Sequence, residues 1–334
     1  MTRLTRPARL PRLAAAVAAA SALTVLVAAP ASAGDPTVTD PHVIAHFDFQ
    51  KGQTPENIAL EPDGSADLTL AFAHKVVRVD KDGHRHPVAE LPTVANPHSP
   101  NLGAAIATGI ARAHDGTLYV AYATGTAETG IWRIGPDGGA PEQFASLPTD
   151  TFPNGIALDE ECDTLYAADS ARGLVWRVSL ESGAATVWAS GPALAPTAAL
   201  PFGANGLKVH EGAVWVSNTA QGTLLRIPIG RASSHAAGPV ESWATELPGI
   251  DDFAFTGHHG NTILAALILS DEVVLVRPDG SHKTVLTHAD GLRNPTSVAV
   301  HAKQVYVPSA AYFAPPNTTP DPNLLLARIS KNKL

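Results

Sequence analysis

Pro153-Asn154-Gly155-Ile156-Ala157-Leu158, Thr164-Leu165-Tyr166-Ala167-Ala168-Asp169 and Gly173-Leu174-Val175-Trp176-Arg177-Val178 are three short apolar runs separated by turns. Each has the length and β-branched or aromatic content of a strand. The phrase recurs at Ala204-Asn205-Gly206-Leu207-Lys208-Val209, Val214-Trp215-Val216-Ser217-Asn218 and Leu224-Leu225-Arg226-Ile227. Weaker copies open at Glu56, Thr108, Asp251 and Thr296, so that the six equivalent positions are 52, 46, 51, 46 and 45 residues apart. A period of this size marks a propeller or another repeat array.

The third run of each unit repeats independently, as Val77-Arg78-Val79, Trp132-Arg133-Ile134, Trp176-Arg177-Val178, Leu225-Arg226-Ile227, Leu275-Val276-Arg277 and Ala327-Arg328-Ile329. Turns such as Pro136-Asp137-Gly138 and Pro278-Asp279-Gly280 follow, and then a fourth run such as Ala185-Thr186-Val187-Trp188. Four strands in each of six units predict an all-β, six-bladed β-propeller with four-stranded blades. The last unit stops at Ile329, after its third strand, while Val43-Ile44-Ala45-His46-Phe47-Asp48-Phe49 is a spare strand ahead of the first unit. That N-terminal strand is expected to close the last blade, removing an exposed edge.

Composition narrows the function. The 334 residues are 45% hydrophobic and 16% charged, with a net charge of −8, which suits a folded chain rather than a disordered one. No basic cluster lies in the body of the chain, so nucleic acid is not an expected partner. The single cysteine, Cys162, excludes a disulfide framework and a cysteine zinc site. Arg3, Arg6, Arg9 and Arg12 precede an apolar run from Leu13 to Ala29, and Ala31-Ser32-Ala33 follows Pro30. Residues 1–33 therefore read as a Sec-type signal peptide cleaved after Ala33. The protein is expected to be secreted or extracytoplasmic, with 34–334 as one propeller domain. No membrane contact is expected after cleavage, and the domain should be a monomer acting on a small molecule. Without the signal the chain carries 19 basic against 31 acidic residues, a net of −12.

The residues opening the first strands converge on the axis of a propeller. Glu56, Thr108, Asn154, Asn205, Asp251 and Thr296 all carry oxygen, and two are carboxylates. Such a set suits a hard cation: Ca²⁺ takes six to eight oxygens at about 2.3–2.6 Å. Asn-Gly is also a common turn, so each asparagine has a second reading as a blade corner. Loops on the same face bring His74, His98, Tyr122, Asp169 and Asn218 toward the opening, together with Phe152, Phe202, Tyr312 and Phe313. In the plainer reading Asp169 caps its own loop and His74 and His98 are surface histidines. The insert from Ala314 to Pro320 is long enough to roof the site.

On this blade rhythm and ring, residues 43–330 resemble the regucalcin/gluconolactonase (senescence marker protein) family, to which diisopropyl fluorophosphatase-type propellers are related. The resemblance implies a catalytic divalent metal, usually calcium, held by Glu56, Asn154, Asn205 and Asp251. The family's Glu-Gly-Pro is Glu56-Asn57-Ile58 here, and its Asp-Gly is Asp251-Asp252. Asp251 is the expected ligand because it aligns with Asn154 and Asn205. The sugar lactonases' Asn-Asp-Gly run in blade three is missing; Asn154-Gly155-Ile156 stands in its place. The expected activity is metal-dependent hydrolysis of a lactone or similar ester, with Asp251 catalytic. Phosphotriester hydrolysis is a narrower reading of the same site. The alternative is a non-enzymatic propeller that binds a ligand or protein and uses calcium as a structural pin.

Overall fold

In the computed structural model, residues 34–231 and 235–330 are described; residues 1–33, where the signal peptide is expected, and 331–334 lie outside them. Six four-stranded antiparallel sheets form the six blades. Their inner strands are Pro55–Leu60, Ile106–Arg112, Pro153–Asp159, Ala204–His210, Ile250–Phe255 and Ala299–His301. The second strands are buried on both faces, Thr164–Asp169 completely so, and therefore read as unbroken apolar runs. The outer strands are mostly open to solvent: in Ala185–Ser190 Val187 is exposed and only Ala189 is buried.

Apolar clusters fill the seams between neighbouring blades. Tyr119 and Ile131 of blade two pack with Leu165 and Trp176 of blade three, and Trp215 of blade four packs with Phe253 and Leu267 of blade five. Each fully buried Leu or Phe contributes roughly 1.5–3 kcal/mol by leaving water. Because every blade is buried on both sides, the ring needs no separate central core. No helix among the described residues is long and apolar enough to cross a membrane.

The ring closes as expected. Thr37–His46 pairs antiparallel with Asn323–Ser330, giving the sixth blade its outer strand. This strand begins and ends earlier than the apolar pattern alone suggests. Phe47 N–H still bonds Pro322 O, but Phe49–Lys51 turns as a short 3₁₀ helix capped by Asp48, delivering the chain to blade one. Asp35 anchors the start of the strand through Arg277 and Lys283 of blade five, at 2.7 and 2.9 Å.

Candidate functional site

Each inner strand of blades one to five breaks register where it reaches the axis. The irregularities fall between Pro55 and Asn57, Ala107 and Ile110, Pro153 and Ile156, Ala204 and Leu207, and Ile250 and Phe253. A bulge frees residues from the ladder and re-aims their side chains. In every case the freed residues include the ring position and, except in blade one, its successor.

The ring positions then divide. Glu56, Asn154, Asn205 and Asp251 line one cavity of about 180 Å³ on the axis. Thr108 and Thr296 do not. Thr108 Oγ1 donates to Pro153 O at 2.8 Å and Thr296 Oγ1 to Pro55 O at 3.0 Å, so both hydroxyls stitch their blade to the next. The ring of six read from the sequence is thus a set of four donors and two fasteners.

The amides are oriented by a relay. Ser170 Oγ donates to Ala204 O at 2.7 Å, so its lone pair accepts Asn154 Nδ2 at 3.2 Å. Thr219 Oγ1 donates to Ile250 O and accepts Asn205 Nδ2, each at 2.7 Å. A hydroxyl has one proton to give, so the partner it receives must be the amide nitrogen. Both asparagines therefore leave Oδ1 as a free acceptor at the cavity, and the Asn205 amide also hydrogen-bonds the Asp251 carboxylate. Their glycine neighbours are not corners: Gly155 and Gly206 lie outside the left-handed region. A Cβ on Gly155 would sit 2.5 Å from Asn205 O, and one on Gly206 would sit 2.3 Å from Asp252 Oδ1. These glycines permit close approach of backbones at the axis, which decides against the turn reading of Asn-Gly.

The carboxylates are crowded and dry. Burial pushes the Glu56 pKa up to about 7, against the pull of Tyr312, whose hydroxyl donates to Glu56 Oε2 at 2.6 Å. Burial also raises Asp251 well above the usual carboxylate range, and Glu56 and Asp252 add repulsion. The same burial, beside Glu56, raises the Tyr312 hydroxyl. Two buried carboxylates facing two amide oxygens, with no cation among the side chains lining the cavity, match the oxygen-rich donor set of a hard divalent ion.

Asp252 has another task. It accepts Lys208 Nζ at 2.7 Å on both oxygens, Asn57 Nδ2 at 3.0 Å and Ser297 Oγ at 2.8 Å on Oδ2, and its neighbour's Phe253 N–H on Oδ1. Groups from blades one, four, five and six thereby form a polar plug beneath the four donors. Lys208 Nζ also lies 5.5 Å from the centre of the Phe253 ring. The adjacent aspartates are separated by the bulge, and Asp251 is the one that lines the cavity.

Walls and rim are apolar. Ile106, Phe152, Leu200, Phe202 and Ile268 form the walls, and Phe72, Leu102, Leu269, Tyr312 and Phe313 the upper edge. Phe152 and Phe202 meet edge to face with centroids 5.6 Å apart. Phe152, Phe202, Tyr312 and Phe313 are where the sequence places them; the other loop candidates are not at the cavity. His74 bonds Ala105 O, His98 bonds Asn96 O and Tyr122 bonds Pro92 O. Asn218 holds Ala193 O and Ala195 O. Asp169 caps its loop through Phe152, Ala171 and Arg172 N–H and receives Trp176 Nε1. The Ala314–Pro320 insert does not roof the cavity either; it borders a neighbouring surface hollow with Asp271, His288 and Arg293.

The rest of the apolar lining, Phe72, Leu102, Ile106, Leu200, Ile268 and Leu269, escaped sequence reasoning because no polar signal marks it. A positional one exists: Phe72 and Leu269 each stand two residues beyond a second strand, which end at Leu70 and Leu267. Ser170 and Thr219 likewise each directly follow a second strand, ending at Asp169 and Asn218.

Residues 65–249 match a family described as a repeat of unknown function, DUF6923. The chain belongs to that family. The DUF6923 match spans both amide donors and neither carboxylate, since Glu56 and Asp251 fall just outside it. No curated protein matches the chain in sequence. Solved structures share the fold. Regucalcin from Agrobacterium tumefaciens, described as a calcium-binding protein, is 15% identical with a TM-score of 0.65, over 89% of this chain and 96% of that one. The PQQ-bound aldose sugar dehydrogenase from Streptomyces coelicolor is 18% identical with a TM-score of 0.63, over 89% and 99%. Virginiamycin B lyase from Staphylococcus aureus is 13% identical with a TM-score of 0.56, over 89% and 99%. At these identities the likeness is one of fold, and the resemblance to regucalcin-type propellers holds at that level.

Proposed function

We propose that this member of DUF6923 is an exported, monomeric hydrolase of a lactone or similar ester, dependent on a divalent cation. The supporting observation is the convergence of Glu56, Asn154, Asn205 and Asp251 from four blades at one buried cavity floor, with both amides turned to present oxygen. Enzymes and a calcium-binding protein among the fold's solved relatives favour a catalytic reading in general, and the donor set favours calcium over zinc. PQQ fits less well, because it carries three carboxyl groups and no Lys, Arg or His lines the cavity.

A cation held by these four residues would supply Lewis acidity to polarise a carbonyl. The chain's own groups do the rest. Asp251, kept ionised by such a cation, would accept a proton from attacking water or attack the carbonyl itself. Tyr312 fixes the orientation of Glu56. The apolar walls exclude bulk water, which strengthens every electrostatic interaction at the floor.

Calorimetric titration of the chelator-stripped mature chain from Gly34 with calcium tests this, beside Asp251→Asn and with lactone and ester hydrolysis assayed with and without chelator. One-to-one binding that is lost in the variant, and hydrolysis that needs the cation, are expected. Absence of binding by the intact chain overturns the reading. A second reading is a ligand-binding propeller with a structural calcium. It is favoured by the lining, which among the described residues offers no titratable side chain besides Glu56, Asp251 and Tyr312; saturable binding of a small molecule without turnover would establish it.

A further inference from the structure

The polar atoms of the cavity are segregated and almost all committed. Tyr312 donates to Glu56. Thr219 gives its proton to Ile250 O and its lone pair to Asn205. What remains free for a ligand lies at the floor, in the Glu56 and Asp251 carboxylates and the two Oδ1 atoms. Above the floor, no side-chain donor or acceptor is left along the Phe152, Phe202 and Leu200 walls.

The rim carries the same character outward. Among the described residues five large hydrophobic side chains are markedly exposed, and four of them, Phe72, Leu102, Leu269 and Phe313, edge this single mouth. Scattered exposed apolar residues need no explanation, but a contiguous collar around a cavity marks a binding surface. These four come from the loops of blades one, five and six and from the connection between blades one and two, so no single loop's composition accounts for them.

From this we infer the substrate class. The ligand is an apolar carbonyl compound with one oxygen-bearing head at the floor and a body of one ring or a short alkyl chain between the walls. A cavity of about 180 Å³ is close to the roughly 150 Å³ that accommodates a benzene molecule, so a body of about six to ten carbons fills it and the collar. Polyhydroxylated sugar lactones are disfavoured, because their hydroxyls would lie against Phe and Leu with no partner. One such hydroxyl is worth about 10²-fold in an apolar pocket.

The inference rests on the hydrolase reading only for the carbonyl's place at the floor, and its test separates the two. The calcium-loaded mature chain is assayed with δ-decalactone, phenyl acetate and glucono-1,5-lactone, and binding of the unreactive probe 2-octanone is measured by calorimetry. The same measurements are made on Leu269→Gln/Phe313→Gln, whose side chains are 54% and 60% exposed and carry little of the fold. Preference for the apolar substrates by at least about a hundredfold is expected. In the variant, 2-octanone affinity should fall at least tenfold with an unchanged melting temperature. Equal or better use of glucono-1,5-lactone overturns this inference and leaves the hydrolase reading standing. Binding of 2-octanone that is lost in the variant, with no ester hydrolysed, does the reverse. If the variant instead dissociates a dimer on gel filtration while 2-octanone binding is unaffected, the collar is a self-association face and the inference fails.

Discussion

Tyr312 and Glu56 stand 256 residues apart in the chain and 2.6 Å apart in space, the phenol of the last blade's loop donating to the carboxylate that opens the first blade. The contact spans the seam where the propeller closes, so ring closure and the geometry of the candidate metal site depend on each other. It also explains how a buried carboxylate is held in one orientation with no basic residue beside it.

Removing only that hydroxyl should therefore act on the site more than on the fold. Tyr312→Phe is expected to lower calcium affinity about tenfold, the scale on which partners that orient a metal ligand operate. The melting temperature of the cation-free protein should stay within a few degrees. Calorimetric titration and thermal melts of both proteins check this; unaltered affinity would show that Glu56 needs no such support.

The carboxylates give the cation-free protein a distinctive pH response. Glu56 titrates near 7 in the fold against 4.5 ordinarily, and Asp251 is raised as well, both by burial first. Between those values the folded state binds more protons than the unfolded one, so stability is fully present below about pH 4.5 and is lost as pH rises through 7. For Glu56 alone the loss is on the order of 3 kcal/mol. Urea unfolding from pH 5 to pH 8 should show this decline in chelator and a much shallower one in calcium. Calcium binding near pH 6.5 should also release protons, which is measurable as a dependence of binding enthalpy on buffer.

The plug below the site should matter to the fold. Lys208 meets a fully buried Asp252 at 2.7 Å, and removing one partner of such a pair costs about 3–5 kcal/mol. Lys208→Met is expected to lose that much in urea unfolding, and Lys208→Met/Asp252→Asn to regain a large part of it. A single variant as stable as the parent would make the pair incidental.

Gly155 and Gly206 test the reading of Asn-Gly as close approach. Alanine at 206 would bring Cβ to 2.6 Å from Asp252 Cα, and alanine at 155 to 2.7 Å from Leu207 N. Backbone cannot yield as a flexible side chain can, so each substitution should cost at least about 2 kcal/mol. Calcium binding should weaken in parallel, since Asn154 and Asn205 move with their glycines. Alanine variants with parental melting curves and calcium isotherms would contradict the assignment.

The closing strand is the last case. Thr37–His46 covers the whole of Asn323–Ser330, and deleting residues 34–46 would leave that strand as an open edge. The truncated protein is expected to aggregate on size-exclusion chromatography at concentrations where the chain from Gly34 does not.

Repetition and alternation are local properties, and they made the architecture legible. Blade number, strand count, the strand borrowed by the sixth blade and the six ring positions from Glu56 to Thr296 all follow from a phrase that returns every 45 to 52 residues, and the family resemblance pointed to Glu56, Asn154, Asn205 and Asp251 among them. The same phrase could not tell Thr108 and Thr296 from the other ring members. Whether an axial oxygen faces the cavity or fastens the next blade depends on which backbone carbonyl packs beside it. Alignment with Asn154 and Asn205 favoured Asp251 over Asp252, but the task of Asp252 was not legible, because a bulge sends one to the cavity and the other to Lys208. Phe72, Leu200 and Leu269 of the lining and the Tyr312–Glu56 contact were hidden for the same reason. They assemble from loops of different blades with no shared local pattern, and only the closed ring brings them within reach of one another.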